Sequence, residues 1–133
     1  MNYRETLINY RLQQAKETIE EIDKMIESKF SGRSIINRTY YAMFYAISAL
    51  FIKYNINLNT SKHTGIITIF DKEFIKTGII SIEYSKKLHK IFNLRLEGDY
   101  KEFAKISMDE VIEYANVSKE FVEMVEKMVG NTD

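Results

Sequence analysis

Ile35-Ile36-Asn37-Arg38-Thr39-Tyr40-Tyr41-Ala42-Met43-Phe44-Tyr45-Ala46-Ile47-Ser48-Ala49-Leu50-Phe51-Ile52, wound at helical period, is apolar nearly all the way round. A helix with no clear wet face belongs inside. A helix from about Ser34 to Tyr54 is therefore expected to be the central, most buried element. Ala42, Ala46 and Ala49 would let a neighbour approach closely. The longest apolar run, Thr39 to Ile52, is too short to cross a bilayer.

Upstream, Ile8, Leu12, Ala15, Ile19, Ile22 and Ile26 step by four and three. That stripe predicts a helix from about Tyr3 to Lys29, with Arg11, Lys16, Glu17, Glu20 and Lys24 off the buried face. Ser31-Gly32 is read as its stop. Downstream, Asn55, Asn57 and Asn59 mark a loop. A short helix is expected from about Thr64 to Phe74, burying Ile66, Ile67, Ile69 and Phe70, with Lys76-Thr77-Gly78 as its stop. Ser81 can cap a helix that runs to about Glu97 and ends at Gly98. Ser107, with Glu110 three residues on, is a capping box. It opens a last helix whose inner face is Val111, Ala115, Ser118, Phe121, Val125 and Met128, closed by Gly130. Strand signals are nearly absent, and there is no Pro. The expected fold is all-α: an antiparallel up-and-down bundle of four long helices and one short one, a single domain over residues 1–133.

The chain has no Cys, which excludes thiol chemistry and thiolate metal sites. The polar, charged first residues do not read as a signal peptide, and a cytoplasmic location is the default expectation. Nineteen basic residues balance 19 acidic ones, but unevenly. Residues 61–101 hold eight Lys/Arg against five Asp/Glu, and residues 102–133 hold three against eight. Such a chain does not coat nucleic acid by charge alone, which leaves a small local anion site.

Two arginines break the apolar pattern. Tyr84, Leu88 and Ile91 form a stripe whose next member is Arg95. Arg38 sits beside Asn37 in the first turns of the most apolar helix. Stripping water from a guanidinium costs several kcal/mol, so each needs a partner, a cleft or a phosphate. If Asn37, Arg38 and Arg95 converge at one end of the bundle, the cleft suits a phosphate, which arginine binds bidentately. The alternative is a structural ion pair, Arg95 with Asp99 or Arg38 with Glu97. Lys62 and His63, at the start of the short helix, are further phosphate contacts; otherwise His63 is an inert loop residue. His89, in the run Lys86-Lys87-Leu88-His89-Lys90, is expected in solvent. Two dispersed histidines without acidic ligands at matching spacing make no metal site. No Gly-rich phosphate loop, nucleophile elbow or His-Glu metal motif is present, and no cofactor is expected. Tyr40, Tyr41 and Tyr45 read as core rather than as a base-stacking platform. Their hydroxyls, if buried, need partners such as Arg38 or Asn37.

The segment Asn37-Arg38-Thr39-Tyr40-Tyr41-Ala42-Met43-Phe44-Tyr45-Ala46 resembles the second-helix signature of HEPN-domain proteins. Lys62-His63-Thr64-Gly65-Ile66, Phe70 and Phe74-Ile75-Lys76-Thr77-Gly78 follow the same pattern. Leu94-Arg95-Leu96-Glu97-Gly98-Asp99-Tyr100 is similar to the Arg-x-x-x-Asp-Tyr element of small stand-alone prokaryotic members. These three pieces, in order, cover about residues 30–100. The resemblance implies a bundle of four or five helices that dimerises. Many members are metal-independent RNases and toxins of toxin–antitoxin pairs, partnered by a small nucleotidyltransferase. Their RNase motif is an Arg followed four to six residues later by a His. The implied reaction is attack of a ribose 2′-OH on the adjacent phosphate, with Arg stabilising charge and His moving protons.

Arg95 matches that Arg, and Tyr100 stands where the His would be. A phenol with a pKa near ~10 is a poor general base at neutral pH. The first reading is thus a nucleotide- or RNA-binding module working with a nucleotidyltransferase. In it, Asn37, Arg38 and Arg95 hold phosphate, while Asp99 and Tyr100 orient the site. Two alternatives stand beside it. One is an active RNase toxin using Arg95 with Tyr100 or His63. The other is a structural interaction domain. A homodimer is expected on the resemblance and on the 17 aromatic residues of so short a chain.

Overall fold

A computed structural model describes residues 2–57, 63–97 and 106–130, with the backbone alone at His63, Thr64, Leu96 and Glu97. The Asn2 side chain caps α1 (Tyr3–Glu27), accepting the Glu5 N–H at 2.8 Å. Ile8, Leu12, Ala15, Ile19 and Ile22 are buried, as the stripe requires. Thr18 joins them because its hydroxyl donates to the Gln14 carbonyl at 2.7 Å. The helix stops before Ser31-Gly32, the expected stop. Lys29 takes a left-handed conformation (φ 60°), and the Phe30 N–H returns to the Met25 carbonyl at 2.9 Å.

Ser31 and Gly32 instead open the next helix. Ser31 accepts the Ser34 N–H at 3.2 Å and caps α2 (Gly32–Lys53). Gly32 lies so close to the last helix that a Cβ would stand 3.1 Å from Val111 Cγ2. The central helix ends as α1 does, with Asn55 left-handed (φ 57°) and the Ile56 N–H on the Phe51 carbonyl.

The short helix is also broken differently from the expectation. α3 (His63–Phe70) passes into one wide turn, Asp71–Ile75, in which the Lys76 N–H reaches back five residues to the Asp71 carbonyl. Phe70 and Phe74 stay buried and stacked, while Ile69, expected inside, is half-buried. Gly78 (φ 77°) turns the chain back. Ser81 then starts α4 (Ile82–Glu97), its hydroxyl taking the Glu83 N–H at 3.3 Å. Ser107 starts α5 (Met108–Gly130), its hydroxyl taking the Glu110 N–H at 3.2 Å.

Side-chain contacts fix the helix directions. Arg4 at the start of α1 donates to the Ile52 and Lys53 carbonyls at the end of α2. Lys16 of α1 pairs with Glu126 late in α5. Tyr84 meets the Phe121 ring and Lys87 pairs with Glu113, so α4 and α5 run oppositely. Gly32 against Val111 places the starts of α2 and α5 together. Hence α2 and α5 share one direction, α1 and α4 the other: an up-down-up-down bundle. Burial of Ala42, Ala46 and Ala49 suits α2 to its position against all three other long helices. α2 is nevertheless not enclosed. Arg38, Tyr41, Phe44, Tyr45, Ser48 and Ile52 form a half-exposed strip along it. No helix among the described residues is long and apolar enough to cross a membrane.

Candidate anion site

Leu88 and Ile91 are fully buried, and the α4 stripe they define carries Arg95 inward at the last turn. The neighbouring surface is the start of α2, where Tyr40 is buried and Tyr41 half-buried. Arg95 Cζ lies 4.9 Å from the centroid of each ring. The two rings meet edge-on at 5.6 Å, which makes a corner for the guanidinium. One terminal nitrogen of Arg95 donates to the Tyr41 hydroxyl at 2.8 Å. No carboxylate among the described residues lies within ion-pair distance of Arg95. Its Nε is buried and donates to no acceptor among them.

Arg38 reaches the same tyrosine from one turn earlier on α2, with its Cζ 5.7 Å from the Tyr41 centroid. Its Nε is 3.3 Å from Glu21 Oε2 on α1. The structure thus brings Arg38 and Arg95 onto one aromatic side chain. A described acid facing Arg38 is Glu21 of α1, while the Glu97 side chain lies outside the described residues. Arg95 is a partner of the Tyr41 hydroxyl. Asn37 does not join the cluster: it precedes Arg38 by one residue, is turned about 100° away on the helix, and is exposed.

Charge and burial act together on Tyr40. Burial pushes its phenol well above the usual value, and the Arg95 guanidinium offsets part of that rise. Phe92 and Phe44 pack on the same ring at 5.5 and 6.1 Å, which fixes the floor beneath Arg95. Tyr40 is therefore core, while Tyr41 and Tyr45 present ring surface at the edge of the site.

Of the remaining sequence candidates, His63 opens α3, but its side chain lies outside the described residues, as do Lys62, Asp99 and Tyr100. His89 is not merely solvated. Its Nε2 is 2.6 Å from Asp71 Oδ2, and the buried Ser85 hydroxyl donates to Asp71 Oδ1 at 2.7 Å. This cluster ties the wide turn after α3 to α4. The Ser85/His89 spacing of one helical turn was its only trace in the sequence.

The HEPN domain family model matches residues 8–128. A UPF0332 protein of Thermotoga maritima is 31% identical over 129 residues, covering 97% of this chain and 96% of that one. A candidate toxin of Methanocaldococcus jannaschii is 31% identical over 99 residues, 74% of this chain and 65% of its own length. A second candidate toxin of that organism is 35% identical over 86 residues, 65% of this chain and 62% of its own. The helical bundle and these matches define the class: the chain belongs to the HEPN domain family.

Proposed function

We propose that this protein is a toxin-like HEPN module that binds the phosphate of RNA or of a nucleotide between Arg38 and Arg95. One observation carries the reading: a half-buried guanidinium whose described partners are a phenol and two rings, with no carboxylate among them. Among the described residues this cation meets no counter-charge, and a phosphate oxygen pair would supply one bidentately. Arg38 adds a second cation on the same tyrosine. In this reading Asp99 and Tyr100, four and five residues beyond Arg95, orient the bound group. Lys62 and His63 add phosphate contacts, and Asn37, exposed and turned away from the two arginines, is not among them. With Tyr100 in place of a general base, binding dominates over cleavage.

Two partners complete the proposal. A second copy of the chain would cover the half-exposed strip of α2, where Tyr41, Phe44 and Tyr45 leave apolar surface in water. A small nucleotidyltransferase would act as the antitoxin, as the family resemblance implies; the names of the two Methanocaldococcus relatives support the toxin half of that pairing.

The test is RNA retention and cleavage by the purified protein in EDTA, comparing wild type with Arg95→Ala and Tyr100→Phe. Retention lost in Arg95→Ala, with little cleavage by any variant, is the expected result. Cleavage abolished by Tyr100→Phe would instead make the protein an active RNase. Equal retention by wild type and Arg95→Ala would remove the proposed site.

A further inference from the structure

Tyr41 touches both arginines. It accepts a hydrogen bond from Arg95 at 2.8 Å, its ring lies against the Arg95 guanidinium, and Arg38 approaches the same ring. Two like charges drawn into one corner repel; Glu21 faces Arg38, but no described carboxylate lies within ion-pair distance of Arg95. Ring faces carry negative charge density, so an aromatic side chain lowers that cost without neutralising either cation. A carboxylate in the same position would neutralise them and compete with any incoming anion. The hydroxyl adds direction. It fixes one edge of the guanidinium fork, and with it the orientation of the edges left for a ligand.

We infer that Tyr41 is a positioning residue of the anion site: it holds Arg95 in a ligand-ready orientation and lets Arg38 share the corner, without needing to touch the ligand. The inference rests on the reading of Arg38 and Arg95 as the phosphate contacts. Tyr40 has a different part. It is buried, its ring lies against the Arg95 guanidinium, and it forms the floor.

The test uses the full chain and a fluorescent single-stranded RNA, titrated across salt concentrations, with Tyr41→Phe, Arg95→Ala and the double variant. Tyr41→Phe keeps the ring and removes the acceptor. Its affinity is expected to fall about 3- to 10-fold, the effect of one hydrogen bond. The salt dependence should be unchanged, because both cations remain. Arg95→Ala should lower the slope of log K against log salt by about 0.7, one phosphate contact on a single strand. In the double variant, the Tyr41 substitution should add nothing to the loss from Arg95→Ala, since it acts through that residue. As a ligand-free readout, the Arg95 Nε–H resonance should be sharp in wild type and broadened in Tyr41→Phe. Wild type that retains no RNA overturns the site reading and this inference with it. Wild type that binds while Tyr41→Phe binds equally, or losses that simply add in the double variant, overturn the inference alone and leave the site reading standing.

Discussion

Replacing Arg95 by methionine separates a functional arginine from an architectural one. The bond from Arg95 to Tyr41 involves a charged donor and is worth about 1.5–3 kcal/mol. The two ring contacts add about 0.5–1 kcal/mol each at a half-exposed position. Against these stands the removal of water from a guanidinium whose Nε is shut off from solvent, a cost of several kcal/mol. The opposing sums nearly cancel. Methionine keeps an unbranched apolar stem at this position and carries no charge to desolvate. Arg95→Met should thus leave folding stability within about 1 kcal/mol of wild type, a Tm change of no more than about 3–5 °C for a chain of this length. An arginine locked into a buried ion pair would behave otherwise, losing about 3–5 kcal/mol when removed from its partner. Urea unfolding followed by far-UV circular dichroism reads the difference. A second titration with tripolyphosphate completes it. Ligand at ten times its Kd should stabilise wild type by about 1.4 kcal/mol and leave Arg95→Met unmoved. A loss above about 3 kcal/mol in Arg95→Met, together with no effect of tripolyphosphate on wild type, would refute the argument that this charge is held open for an anion.

The raised Tyr40 phenol makes an alkaline prediction. The unfolded chain releases that proton first, near the ordinary value of 10.0, so the folded state gains from Tyr40 below that pH and loses as pH rises through and beyond it. Unfolding free energy should be flat up to about pH 10 and then fall, by up to about 1.4 kcal/mol per pH unit for each such phenol. Tyr40→Phe should flatten part of the fall, with Tyr84 and Tyr114, also raised by burial, keeping the rest. Asp71→Ala should cost about 1–2 kcal/mol in urea unfolding, since it strands the buried Ser85 hydroxyl and removes the partner of a half-exposed His89. Lys29→Gly should raise stability by about 1 kcal/mol in the same assay, because the left-handed conformation at that position disfavours any side chain. A loss in Lys29→Gly would mean the lysine side chain contributes more than its backbone strain removes.

What could be read from the chain in advance was what depends on near neighbours. Ile8, Leu12, Ala15, Ile19 and Ile22 announce their helix because burial repeats with the helical period, and Ser107 announces another because a cap acts three residues ahead. Arg95 was legible as an anomaly for the same local reason: a charge on an apolar stripe. Its surroundings were not. Tyr41 lies 54 residues away, and the choice between a phenol and a carboxylate as its partner depends on how α4 seats on α2. Glu21 facing Arg38 depends likewise on the register of α1 against α2. The wide turn at Asp71–Ile75 escaped because the groups that hold it, Ser85 and His89, come 14 and 18 residues later. Reading Gly32 as a breaker failed for a spatial reason too: the residue is small because Val111 crowds it.

The arrangement in which α2 meets every other long helix has a consequence for how the molecule can give way. The arginine-bearing helix leans chiefly on α2, α5 and the wide turn, and α1 bears little of its weight. Local opening of α4 would carry Arg95 away from its tyrosine corner while the α1–α2–α5 trio kept its own contacts.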